Sequence, residues 1–141
     1  MILGMRGRLM FTKWQPVCAG ILCAVLLSGC AFDVISIRQT PANYQATPGS
    51  QQAWSLGEPV KVSLKQGHAT DLKKGTNWRQ TGRIEQGDVF QTVDQIVTVE
   101  ASNQYEAQLV VSGNMAVGFY LPVEHTFTPA DPPVAIKTVP R

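Results

Sequence analysis

The side chains of this sequence that could do chemistry are few and dispersed: three cysteines, two histidines and ten acidic residues in 141. A thiolate can act as a nucleophile, metal ligand or acyl acceptor, and an imidazole can ligate a metal or carry a proton. His68 and His125 stand 57 positions apart, so a metal site would need them to converge with a carboxylate such as Glu100, Glu106 or Glu124. Adjacent Glu124 and His125 would point to opposite faces of a strand. Asp71, Asp88 and Asp94 flank turn residues, where local backbone hydrogen bonds favour aspartate, and they lack calcium-loop spacing. No serine sits in a nucleophile elbow, and no glycine-rich phosphate loop follows a strand. The residues therefore specify no catalytic set, metal-ligand set or cofactor, and surface or loop histidines are the plainer reading. The cysteines divide differently. Cys18 and Cys23 lie in an apolar run with no histidine near, whereas Cys30 closes the sequence Leu27-Ser28-Gly29-Cys30.

The residues before Cys30 form three zones. Arg6, Arg8 and Lys13 make a basic start without an acidic residue, Val17 to Leu27 is an unbroken run of 11 apolar or small residues, and Ser28 and Gly29 are small. This is the layout of a secretory signal. The run is shorter than the roughly 20 apolar residues that span a bilayer. A cysteine directly after the small pair makes the pattern resemble the lipobox of bacterial lipoproteins. The resemblance implies that the Cys30 thiol carries a diacylglycerol, that the chain is cut before it, and that the new amino group is open to acylation. Each buried methylene contributes about 0.8 kcal/mol, so several chains anchor a protein stably where one short chain does not. Ala31, in place of the aspartate that favours inner-membrane retention in Gram-negative lipoproteins, implies the outer membrane, facing the periplasm.

Cleavage at that point would remove 29 of the 141 residues and leave 112, the size of one domain. The basic count would fall from 12 to 9 against 10 acidic residues, turning a formal charge of +2 into about −1. The basic character then belongs to the leader, and nothing in the composition supports nucleic-acid binding. Cys18 and Cys23 would leave with the leader and Cys30 would carry lipid, so packing alone would stabilise the domain.

The expected organisation is a signal segment at 1–29, a lipidated cysteine and flexible tether at 30–53, a β domain at 54–128 and a Pro-rich tail at 129–141. The tether is rich in Gln, Pro, Thr and Asn and too polar to offset its ordering entropy. Val34-Ile35-Ser36-Ile37 is its exception and could dock as a short strand. Fully extended, its 23 residues would reach on the order of 75 Å. Beyond it, Val60, Val62 and Leu64 alternate with Lys61, Ser63 and Lys65, as in a half-buried strand. Trp78 to Ile84 reads as a strand with Trp78 and Ile84 on one side and Arg79, Thr81 and Arg83 on the other. Val89–Val93 and Ile96–Ala101 are two more β-branched runs.

Tyr105 to Leu121 reads as a hairpin around Ser112-Gly113-Asn114. A two-residue loop would place glutamine and glutamate on the apolar face. A three-residue loop instead pairs Val111 with Met115, Leu109 with Val117 and Ala107 with Phe119. Because register follows the buried face, three residues are predicted, with Asn114 left-handed. In the tail, Val134 and Ile136 are expected along the domain. The fold class expected is all-β: a small antiparallel barrel or sandwich of about five or six strands, after a signal helix and tether.

In this register Tyr120 is the aromatic expected to be exposed, and Arg79 and Arg83 are placed with it as an interaction surface. Such a surface would suit an anionic glycan, a peptidoglycan stem or an envelope protein; a solvated strand face is the plainer alternative. Three segments, Lys74-Gly75-Thr76-Asn77-Trp78-Arg79, Gln86-Gly87-Asp88-Val89-Phe90 and Val117 to Glu124, are similar to stretches of small proteobacterial lipoproteins. That resemblance implies no activity and carries no site residue. The expected function is a non-catalytic binding or scaffold module of the cell envelope, membrane-held through Cys30. The alternatives are an accessory subunit of an envelope secretion or assembly complex, and a small hydrolase or metal-binding protein.

Overall fold

The computed structural model describes residues 34–49 and 52–141, and all of the regular structure there is β. The signal segment and Cys30 lie outside the described residues. Thirteen strands follow in chain order: β1 Thr40–Pro41, β2 Gln45–Ala46, β3 Ala53–Leu56, β4 Val60–Val62, β5 Thr70–Leu72, β6 Asn77–Ile84 and β7 Gly87–Thr92. After them come β8 Thr98–Glu100, β9 Gln104–Glu106, β10 Gln108–Ser112, β11 Met115–Leu121, β12 Thr126–Ala135 and β13 Thr138–Pro140. Nine form one antiparallel sheet in the order β1-β12-β11-β10-β7-β6-β3-β13, with β2 beside β6. β4–β5 and β8–β9 are separate two-stranded ribbons. The sheet does not close into a barrel, one of the two architectures expected, and the described residues hold thirteen strands where five or six were expected, because the segments at both ends of the domain also pair.

Two apolar layers flank the sheet. The larger gathers Trp54, Leu56, Trp78, Phe90, Leu109, Phe119 and Leu121 from the sheet with Val62, Leu72 and Val99 from the ribbons. The smaller holds Ile84, Val89, Val110, Tyr120 and Phe127, covered by Ala42 and Tyr44. β-Bulges decide which residue enters which layer. In β6 the register shifts between Gln80 and Gly82. Trp78 therefore enters the larger layer and Ile84 the smaller, not one common side as simple alternation predicts. The β10–β11 turn also differs from expectation. Ser112 pairs with Met115, so the loop is Gly113-Asn114 alone. Gly113 takes φ 61° and Asn114 is not left-handed, the pattern of a type II′ turn. One extra residue, Val117, between the Val111–Ala116 and Val110–Gly118 pairs then places Leu109 opposite Phe119, where Val117 was expected. The buried face does set the register, but through a bulge and not a longer loop.

Residues assigned to the tether and tail from sequence take part in the sheet. Ile37 is buried in the larger layer, β1 pairs with Thr126–Phe127, and β2 pairs with Gly82–Arg83. Six strand steps separate β1 from β2 around the sheet, about 29 Å if it were flat. The chain from Pro41 to Gln45 reaches only about 14 Å, so the sheet must curl toward the side this strap crosses. Tyr44 lies so close to β6 that a Cβ on Gly82 would come within 2.4 Å of its ring. At the other end, β12 leaves β11 after Pro129 and rejoins it at Val134. Pro132 and Pro133 have no N–H to donate to a ladder. The detour instead joins the β4 segment, with Leu64 bridged to Ala130 and Asp131 N donating to Ser63 O at 2.8 Å. Ile136 is then buried, and β13 adds to β3.

Candidate functional site

The structure does not bring Tyr120, Arg79 and Arg83 together. Tyr120 is buried at 3% exposure, not exposed as its place on the Glu106 side suggested, because the strap lies over that side. Its ring stacks on Tyr44 at 4.9 Å and 8°, and its hydroxyl lies 3.4 Å from His125 Nδ1. Burial pushes the Tyr120 phenol above its ordinary pKa, and the neighbouring Tyr44 hydroxyl adds to the shift. Arg79 and Arg83 are both exposed, but the β6 bulge sends them to opposite faces. Arg79 faces out beside Gln91, while Arg83 Nε donates to Asp88 Oδ1 at 2.8 Å.

The histidines belong to separate places. His68 ends an exposed turn, where its N–H donates to Glu100 O at 2.8 Å. His125 sits in the β11–β12 turn with φ 56°, and its carbonyl accepts from Ala42 N at 3.0 Å. Among the described residues no three of His, Cys, Asp and Glu converge as a metal-ligand set.

Among the described residues, one feature able to hold a ligand is a groove at the β13 end of the sheet. Two adjoining hollows of about 310 and 460 Å³ share Asn114 and Thr138, within the range of small-molecule sites. The floor of the first is apolar: Trp54, Phe90 and Val111, with the Trp54 and Phe90 rings 5.2 Å apart. Asp88, Gln52 and Asn114 supply its polar rim. The second continues past Ile136 and Val139 to the ion pair of Lys137 Nζ with Glu58 Oε1 at 2.9 Å. The hydrogen bond to Glu58 and its charge hold the Lys137 ammonium above its ordinary pKa.

The lining residues offer an aromatic floor, amide and hydroxyl hydrogen-bonding groups and one paired cation, a combination suited to binding. β13 ends the sheet, with Val139 53% exposed and Pro140 unable to donate. Sequence reasoning missed this groove because one wall is made by residues of the Pro-rich tail, whose pairing with Trp54–Leu56 spans over eighty residues. The local signal was the alternation of Val134, Ile136 and Thr138 after the prolines. No protein-family model, curated protein or solved structure matches this chain.

Proposed function

We propose that this chain is an envelope lipoprotein, held in the outer membrane through Cys30 and facing the periplasm, that works as a non-catalytic binding or scaffold module. The basic start, the 11-residue apolar run and Ser28-Gly29-Cys30 support the address and the removable signal helix. The single observation that supports binding is the groove beside β13, with Trp54 and Phe90 beneath a polar rim. Apolar floors with a few convergent polar groups are the common make-up of ligand sites. A second reading, an accessory subunit of an envelope assembly complex, draws on the same place. β13 ends the sheet with Val139 exposed, and sheet ends are templates for added strands.

One experiment tests both parts. A photo-crosslinking amino acid replaces Val139 in the full chain, and a matched one replaces the exposed Val123 in the β11–β12 turn. Envelope fractions are then irradiated and analysed by mass spectrometry. The expected result is membrane-fraction protein with lipid on Cys30 and adducts from position 139 that are absent from 123. Cys30→Ala should move the protein to the soluble fraction. Unmodified Cys30 would remove the address, and equal or absent adducts at the two positions would remove the binding site.

A further inference from the structure

The domain takes hold of its chain very soon after the proposed lipid site. Ile35 N donates to Ser102 Oγ at 2.7 Å, and Ile35 O accepts from Ser102 N at 3.0 Å. Ile37 is 6% exposed, inside the larger apolar layer. Four residues, Ala31-Phe32-Asp33-Val34, separate Cys30 from Ile35. The greatest distance from Cys30 to Ile35 is therefore about 17 Å, against about 75 Å for a leash running to residue 53.

Three segments meet where the chain joins the domain. The turn ending at His68 packs on Ile37, since a Cβ at Gly67 would come 3.1 Å from the Ile37 side chain. The same turn is bonded to Glu100 O, and the following Ala101–Asn103 turn holds Ile35. Val34 is 70% exposed and Ile35 50% exposed. Arg38, Lys65 and His68 are exposed on the same segments, and the Glu100 carboxylate accepts from Gln104 Nε2 at 3.2 Å.

We propose that this end of the domain, formed by Val34, Ile35, Arg38 and the turns at Lys65–His68 and Ala101–Asn103, lies against anionic phospholipid headgroups. The inference rests on the lipidation of Cys30. The short connection keeps this end within reach of the bilayer. Two exposed aliphatic side chains suit the headgroup boundary, and Arg38 and Lys65 suit its negative surface potential. The groove at β13 is lined by Val111, Gly113 and Asn114 at the C-terminal end of β10, none of which belongs to the segments placed against the headgroups.

The test uses full-length protein processed in cells, purified with its lipid and reconstituted in phosphatidylethanolamine–phosphatidylglycerol vesicles. With Cys30 occupied by lipid, a fluorophore is placed on Asn103→Cys or, for reference, on Asn114→Cys at the β10–β11 turn. Both positions are exposed. A headgroup-bound spin label is the quencher. The expected result is several-fold stronger quenching at 103 than at 114. A spacer of about a dozen Gly and Ser residues after Asp33 should erase that difference, and Arg38→Glu with Lys65→Glu should reduce it. Lipidated protein with equal quenching at both positions overturns this inference alone. An unmodified Cys30 in the same preparation overturns the lipidation reading as well. Quenching unaffected by the two charge reversals, or unchanged in phosphatidylcholine vesicles, overturns the anionic specificity.

Discussion

The two apolar layers of this domain are built on different terms. The larger is filled by strands and ribbons that follow simple alternation over short stretches, and its residues Val62, Val99, Leu109 and Phe119 are completely buried. The smaller lies on the other side of the same sheet and depends on a strap only seven residues long, Thr40–Ala46, pairing with β12 at one end and β6 at the other. There Tyr44 stacks on Tyr120, and Ala42 and Tyr44 of the strap pack against the cluster that holds Val89 and Val110. A layer made by many mutually supporting side chains tolerates small shifts. One made by a single strap depends on the close approach of Tyr44 to a glycine. The contrast teaches that the second side of this sheet is buried by a device, and that the device can be removed separately.

The largest expected effect comes from breaking the larger layer. Phe119→Ala should cost about 3–5 kcal/mol in urea unfolding, the range for emptying a fully buried aromatic site, and should loosen both layers together. A loss confined to the larger layer, with the strap amides of Ala42 and Thr47 still protected, would mean the layers are stabilised independently.

Gly82→Val sharpens the comparison from the other side. A Cβ there would lie 2.4 Å from Tyr44 and 2.6 Å from Gln45 O, so the strap backbone must lift. The expected cost is about 1–3 kcal/mol, the range for overpacking. Hydrogen exchange should quicken at the Ala42 and Thr47 amides, which bond to His125 O and Thr81 O, and stay slow in β10. Equal acceleration in β10 would merge the two layers into one cooperative unit.

The smallest effect is expected from Tyr120→Phe, which removes only the hydroxyl beside His125. Below about pH 10 the two proteins should differ by no more than about 1 kcal/mol. The folded phenol titrates above its unfolded value, so the folded state binds the proton more tightly. Stability from this group is full below the unfolded pKa and is lost as pH rises through the folded one. Wild type should therefore weaken relative to Tyr120→Phe in alkaline unfolding titrations. Parallel curves would show that Tyr120 is solvated, and hence that the strap does not seal its side.

Much of the strand content was legible. Val60-Lys61-Val62, Trp78–Ile84 and the runs about Val89 and Val99 announce themselves by β-branched residues and bounding turns. The side each residue faces was legible only up to the first bulge. One extra residue in β6 and one in β11 reverse the parity beyond them, and alternation carries no mark of where that happens. For the same reason Arg79 and Arg83 seemed neighbours and are not. The strap was misread because Thr40, Pro41, Asn43 and Gln45 look like linker composition. Only Tyr44 hinted that the segment has something to bury. The groove was invisible because its walls are brought together from Trp54, Phe90, Asn114 and Thr138.

The sequence by itself determined an antiparallel β domain and set one sulfur apart from every other reactive group, because alternation, turn residues and the Leu27–Cys30 pattern are all written within a few adjacent positions. Only the tertiary structure decided that the polar segment after that sulfur crosses the sheet, that Tyr120 is covered, and that the Pro-rich tail becomes its last strand. Those outcomes depend on partners as distant as Thr40 and Phe127, 87 positions apart. No local pattern encodes which distant backbone will be free to accept a hydrogen bond.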